Sequence, residues 1–218
     1  MTLGRGRVRR HAQSIAWWAP TRATWWIGAL FIIGSTCFAL GSFPPYASLV
    51  GGSGADVTFF IGSLFFTSAA ALQFQQARAR FDWWAALIQL VGTLFFNRST
   101  FQALHGNLTA AEANRHVWVP DALGSAAFLI SSAISCIAGR RVSRSARREP
   151  LWWANWLNMF GSIAFGISAA ASYTIASSDT LRNAARANLG TFVGALCFLS
   201  GAVLIMPRRA PQVAEATP

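Results

Sequence analysis

Six stretches of the chain approach membrane-spanning length with no charge in their interiors. They are Thr24 to Ser42, Val57 to Gln76, Trp83 to Phe96, Asp121 to Ala138, Leu151 to Ala176 and Asn188 to Met206. A hydrocarbon core of about 30 Å takes about 20 helical residues at 1.5 Å of rise each. The third stretch reaches that length only by starting near Phe81 or running past Asn97. All eight prolines lie outside these runs or at their ends, as uninterrupted helices require. With 54% of 218 residues hydrophobic and 11% charged, the chain cannot clothe a water-soluble surface, which in soluble domains uses about 25% charged residues. The same figures exclude a disordered chain. The expectation is an all-α integral membrane bundle of six helices in contact with the lipid bilayer.

The net charge of +11 comes from 18 arginines and no lysine, a usage that fits a GC-rich bacterial genome. Fourteen arginines fall on one side of the expected spans: Arg5, Arg7, Arg9, Arg10, Arg22, Arg78, Arg80, Arg140, Arg141, Arg144, Arg147, Arg148, Arg208 and Arg209. Only Arg98, Arg115, Arg182 and Arg186 fall on the other. By the positive-inside rule both termini are expected in the cytoplasm of a bacterial inner-membrane protein. Basic charge spread over every loop of one side leaves no single nucleic-acid face. The expected organisation is a basic tail over 1-23, a membrane domain over 24-206 and a second tail over 207-218. The first apolar run spans a full membrane without a small-x-small cleavage site, so it reads as a retained helix. The doublets Trp17-Trp18, Trp25-Trp26, Trp83-Trp84 and Trp152-Trp153 fit an interfacial aromatic belt. Cys37, Cys136 and Cys197 lie in three separate apolar runs without CxxC spacing and read as small buried hydrophobes.

The odd-numbered runs align without gaps. Trp25-Trp26, Trp83-Trp84 and Trp152-Trp153 lead to Gly34, Gly92 and Gly161, then Ser35, Thr93 and Ser162, then Phe38, Phe96 and Phe165. The even runs share Gly62-Ser63 with Phe66, Gly124-Ser125 with Phe128, and Gly194-Ala195 with Phe198. The pattern predicts three tandem hairpins, 24-76, 83-138 and 151-206, arranged with pseudo-threefold symmetry about the membrane normal, in the manner of parallel repeats. Gly34, Gly62, Gly92, Gly124, Gly161, Gly190 and Gly194 are expected to pack helices, because lipid offers no hydrophobic incentive and close contact of small residues must supply the attraction. The ridge Ser162, Gly166, Ala170 is expected to act likewise.

Leu30-Phe31-Ile32-Ile33-Gly34-Ser35 with Phe38, followed by Phe59-Phe60-Ile61-Gly62-Ser63, resembles the two-helix unit of the YrhK-like family of small bacterial membrane proteins. Val193-Gly194-Ala195 leading into Leu204 to Arg209 looks like the end of the same unit. The chain departs from the family pattern in having three hairpins, in its Trp doublets and in Ala195 where Ser is usual. The resemblance implies a bacterial membrane location and no particular activity.

No GxSxG, HExxH, P-loop or dinucleotide signature occurs, and no acidic or basic residue lies inside a run except Asp56 and Asp121 at the outer ends. No catalytic, cofactor or metal residue is therefore assigned; His105, Glu112 and His116 read as a solvated loop face. Gln89, Thr93 and Asn97 share a face at i+4 spacing, and Asn158 and Ser162 repeat the offsets of Gln89 and Thr93. These five are the candidate polar pocket. The leading expectation is a structural or accessory membrane component, assembling as a homo-oligomer or with another membrane protein, and not an enzyme. The alternative is a small channel or transporter using that pocket, its substrate unknown.

Overall fold

A computed structural model describes residues 15–140 and 149–208. The remainder of the two expected tails, and Arg141, Arg144, Arg147 and Arg148 of the basic loop, lie outside the described residues. The described chain is almost wholly helical: α1 (Ala23–Gly41), α2 (Pro44–Gln76), α3 (Arg80–Ala103), a short α4 (Ala110–Ala113) continued by a π-helical turn (Asn114–Trp118) into α5 (Val119–Arg140), α6 (Pro150–Ala171) and α7 (Ala184–Ile205). A hairpin of two-residue strands, β1 (Thr174–Ile175) and β2 (Thr180–Leu181), joins α6 to α7.

Local chemistry sets the helix ends. Pro44 and Pro150 open α2 and α6, where a missing N–H costs nothing. Asn183 caps α7 by accepting from the Arg186 N–H at 2.9 Å. Thr109 and Glu112 form a reciprocal capping box at α4. Gly51, at φ 77° and ψ 167°, breaks α2 into a seven-residue lead and a long helix.

Four helical segments are long and apolar enough to cross a membrane: Ala23–Gly41, Pro44–Gln76, Ala110–Gly139 and Ala184–Ile205. The surface is inverted relative to a soluble protein. Ile61, Leu64, Leu94, Ile130, Ile163 and Leu189 stand exposed, while Ser35, Ser63, Thr93 and Ser162 are wholly buried. Large apolar side chains facing outward over this area need lipid around them.

The closest helix pairs are α1 with α2, α3 with α5, and α6 with α7; contacts of α2 with α3, α5 with α6, and α7 with α1 close a ring. The two ends of the described chain meet at one end of this ring. Ile15 bridges Arg208, and the Ala16 N–H donates to the Pro207 carbonyl at 2.8 Å.

Several boundaries differ from the sequence expectation. The run expected to end at Ala176 stops at Ala171, because the chain from Thr174 turns into the β-hairpin. The stretch over Gln102 to Pro120, expected as a solvated loop, is helical from Ala110 onward. Pro120 lies inside that helix. The π turn immediately before it shifts the carbonyl register, and the Val119 N–H donates back to Asn114, so the proline ring escapes the usual clash. The third helix extends to 24 residues, beyond the 14 of Trp83 to Phe96.

Candidate functional site: a phenylalanine core between two polar cavities

Each of the six long helices contributes a buried phenylalanine to the centre of the bundle, and α1 buries a second, Phe31, against Phe66. Phe38, Phe96 and Phe165 touch one another with ring centroids 6.3, 5.9 and 5.8 Å apart. Phe66, Phe128 and Phe198 form a second triangle at 6.2, 5.9 and 5.5 Å. The triangles are joined by the pairs 38–66, 96–128 and 165–198 at 5.4, 5.2 and 5.2 Å. Most of these contacts are edge to face, the arrangement that ring quadrupoles favour.

Glycines make room for the rings. In the pairs Gly34 and Gly62, Gly92 and Gly124, and Gly161 and Gly194, a Cβ on either residue would meet its partner's carbonyl oxygen at 3.0 to 3.2 Å. Gly190 belongs to the same class: its Cβ would stand 2.8 Å from the Ala164 carbonyl oxygen. Gly166 does not, since nothing lies within 4 Å of its would-be Cβ. Of the expected ridge Ser162, Gly166, Ala170, only Ser162 meets a neighbouring helix, at Ser132; Gly166 has turned away and Ala170 is exposed.

The five candidate pocket residues do not form one chamber. Gln89 and Asn158 line a cavity of about 60 Å³ with Gln73, Asn155 and Phe31, at the end of the bundle where the described termini meet. Thr93 and Ser162 lie deeper and are sealed. Thr93 donates to the Leu90 carbonyl at 2.7 Å, and Ser162 pairs with Ser132 at 2.9 Å. Asn97 sits between α2 and α3: with the orientation its neighbours demand, its amide nitrogen donates to the Ser63 carbonyl at 2.9 Å and its oxygen accepts from Thr67 at 2.9 Å. The stripe on α3 was legible, but eight residues cover about 12 Å along a helix axis, enough to carry Asn97 away from the level of Gln89.

Beyond the rings, at the opposite end, is a cavity of about 310 Å³ whose wall includes Asp56, Asp121, Phe38, Phe59, Phe96 and Trp118. The connections of that end bound it. The Asn114 side chain donates to the Thr174 carbonyl at 2.8 Å and accepts from the Thr174 N–H at 2.9 Å, which ties the β-hairpin to the π turn. The Trp118 indole donates to the Ala169 carbonyl at 2.8 Å. Sequence reasoning treated Asp56 and Asp121 as interfacial ends and missed that they share a cavity. A signal existed: Asp56 and Asn188 both precede their helix glycine by six residues, and Asp121 and Thr191 both precede theirs by three.

Among the described residues no group of three or more His, Cys, Asp or Glu is placed to hold a metal ion. His105 Nδ1 lies 3.1 Å from the Phe101 carbonyl, and Glu112 is engaged by Thr109. Comparison with family models, curated proteins and solved structures returns no match to this chain.

Proposed function

We propose that the chain is a six-span inner-membrane protein built from three tandem two-helix units of the YrhK-like kind, with both termini cytoplasmic, acting as a structural or accessory membrane component without catalysis. The observation that carries this reading is the closed cluster of six phenylalanines. It stands between the cavity at Gln89 and Asn158 and the cavity at Asp56 and Asp121, and among the described residues no lining side chain is common to the two. The recurrence of one glycine-pair contact in α1–α2, α3–α5 and α6–α7 supports the repeat, and exposed Leu94 on α3 and Ile163 on α6 support membrane contact by all six helices. Apart from the Ser35 hydroxyl, the buried hydroxyls and the Asn97 amide between helices are engaged with neighbouring helices or their own backbone, the usual role of such groups in bilayers, at about 0.6 to 2 kcal/mol each. The 60 Å³ space beside Gln89 and Asn158 has room for a few waters at about 10 to 15 Å³ each, and it adjoins a larger cavity of about 580 Å³ that shares Gln73, Leu151 and Asn155.

The test is labelling of a single cysteine at Asn158, in a chain lacking Cys37, Cys136 and Cys197, by a membrane-impermeant maleimide. A second cysteine variant at Ser178, in the β-hairpin, reports the outer face. The expected result is modification at 178 in intact cells and none at 158 from outside. Modification of 158 from the outer face would show an aqueous path past the phenylalanines and replace this reading with the channel. Modification of 178 only in inverted vesicles would reverse the proposed orientation.

A further inference from the structure

The cavity beyond the phenylalanine cluster has a wall whose chemistry goes further than a packing role. Several of its hydroxyls and its indole donate within the protein. Ser99 donates to the Val117 carbonyl at 2.8 Å, Ser168 to the Ala187 carbonyl at 2.7 Å, Ser172 to the Ala169 carbonyl at 3.0 Å, and Trp118 to the Ala169 carbonyl. The carboxylates of Asp56 and Asp121 are different: among the described residues neither has a hydrogen bond or an ion pair. They belong to separate helices, α2 and α5, and reach the same 310 Å³ cavity. That volume lies in the range of small-ligand sites, which run from about 300 to 1,000 Å³. The rest of the wall mixes short hydroxyl and aliphatic side chains with four aromatic ones. Phe38, Phe59, Phe96 and Trp118 present rings to the space the carboxylates face.

Carboxylates with no internal cation, in a wall that also carries four aromatic side chains, favour one kind of guest. An anion is repelled, and a neutral polar solute leaves the carboxylates uncompensated. A strongly hydrated divalent ion asks for six or more oxygens, several of them anionic, and among the described residues no group of three or more His, Cys, Asp or Glu is placed to hold a metal ion. An organic ammonium uses both features, pairing its charge with a carboxylate and laying its alkyl groups against the aromatic side chains. We infer that the cavity lined by Asp56, Asp121 and Trp118 is a binding site for a small organic ammonium. This goes beyond the accessory role and does not depend on it, because the site lies wholly on one side of the ring cluster.

The test uses the full chain in detergent, titrated with choline and with its uncharged carbon analogue 3,3-dimethylbutan-1-ol, two molecules of the same shape that differ in charge. Ligand-observed NMR reads the binding. Saturable choline binding is expected, at least tenfold tighter than the alcohol, with Asp121→Asn weakening it at least tenfold and Asp56→Asn weakening it independently. Displacement of choline by short-chain phosphatidylcholine assigns the ammonium to a lipid headgroup; its retention assigns a free amine. Equal binding of choline and the alcohol, displacement of choline by equimolar calcium, or unchanged affinity in both Asn variants would overturn the site. Should Asp121→Asn fail to fold, the Asp56→Asn titration and the choline–alcohol comparison on the unaltered chain decide it alone. Neither result bears on labelling at position 158, so the two readings fail separately.

Discussion

The carbonyl oxygen of Gly124 lies 3.2 Å from the point where Gly92 would carry a Cβ, and the Gly92 carbonyl lies 3.1 Å from the same point on Gly124. Two backbones meeting this closely leave no space for a methyl group on either. The Phe128 ring, at 2.9 Å from the Gly92 point, closes the gap from the side. Gly92→Ala is therefore expected to destabilise the bundle by about 1 to 3 kcal/mol through overpacking, partly offset by the better helix propensity of Ala. Gly166→Ala is the control. With nothing within 4 Å it keeps only the propensity gain, up to about 1 kcal/mol. Thermal unfolding in detergent, read by tryptophan fluorescence, should lower the midpoint for the first and hold or raise it for the second.

Ser35 and Ser162 occupy the same place in the repeated sequence pattern but have different surroundings. Ser162 pairs with Ser132 at 2.9 Å, whereas the Ser35 hydroxyl is buried with no partner. Removing a satisfied buried hydroxyl and stranding its partner costs about 1 to 3 kcal/mol, while removing an unsatisfied one costs little. Ser162→Ala should lower the unfolding midpoint clearly. Ser35→Ala should leave it unchanged or raise it, and a drop equal to that of Ser162→Ala would show that Ser35 has a partner after all.

Gly51 separates the lead of α2 from its long part with a backbone conformation that side chains avoid. Nothing lies within 4 Å of its would-be Cβ, so a substitution there meets strain and no clash. Gly51→Ala is expected to cost about 1 to 3 kcal/mol. Gly52→Ala, one residue on in helical backbone with equally open surroundings, should be neutral or stabilising. The pair of midpoints separates conformational strain from packing at one spot.

The long helices were legible because charge-free apolar runs have few other uses, and the glycine and phenylalanine spacing marked the faces that meet. What escaped the sequence was the far end of the bundle. Pro120 read as a helix boundary, and only the π turn at Asn114–Trp118 lets the helix run through it. The strands at Thr174 and Thr180 are too short to leave a period-2 signal. Asp56 and Asp121 are distant in the chain, and a carboxylate at a helix end is ordinarily solvated, so their shared cavity emerges only from the packing of α2 beside α3 and of α3 beside α5. The amide stripe of α3 was correctly seen as one face; which neighbour each amide meets depended on helix order, and residue spacing within one helix does not contain that.

Asn114 is the side chain on which the far end depends. Its amide makes two bonds to the backbone of Thr174, donating at 2.8 Å and accepting at 2.9 Å, and so stands in for a strand beside the hairpin. Asn114→Ala leaves an N–H and a carbonyl of the half-buried hairpin without partners, a loss of about 1 to 3 kcal/mol. Asn114→Asp should retain the bond from the Thr174 N–H and place a carboxylate oxygen against the Thr174 carbonyl, so half the tie is kept at best. The global midpoint alone does not distinguish these effects from loosened packing elsewhere. Amide hydrogen exchange does: protection should fall at Thr174 and Arg182, whose N–H groups serve the hairpin, while amides around Phe96 and Phe128 keep theirs. Equal loss of protection in both regions would mean that the tie supports the whole bundle and not the cavity end alone.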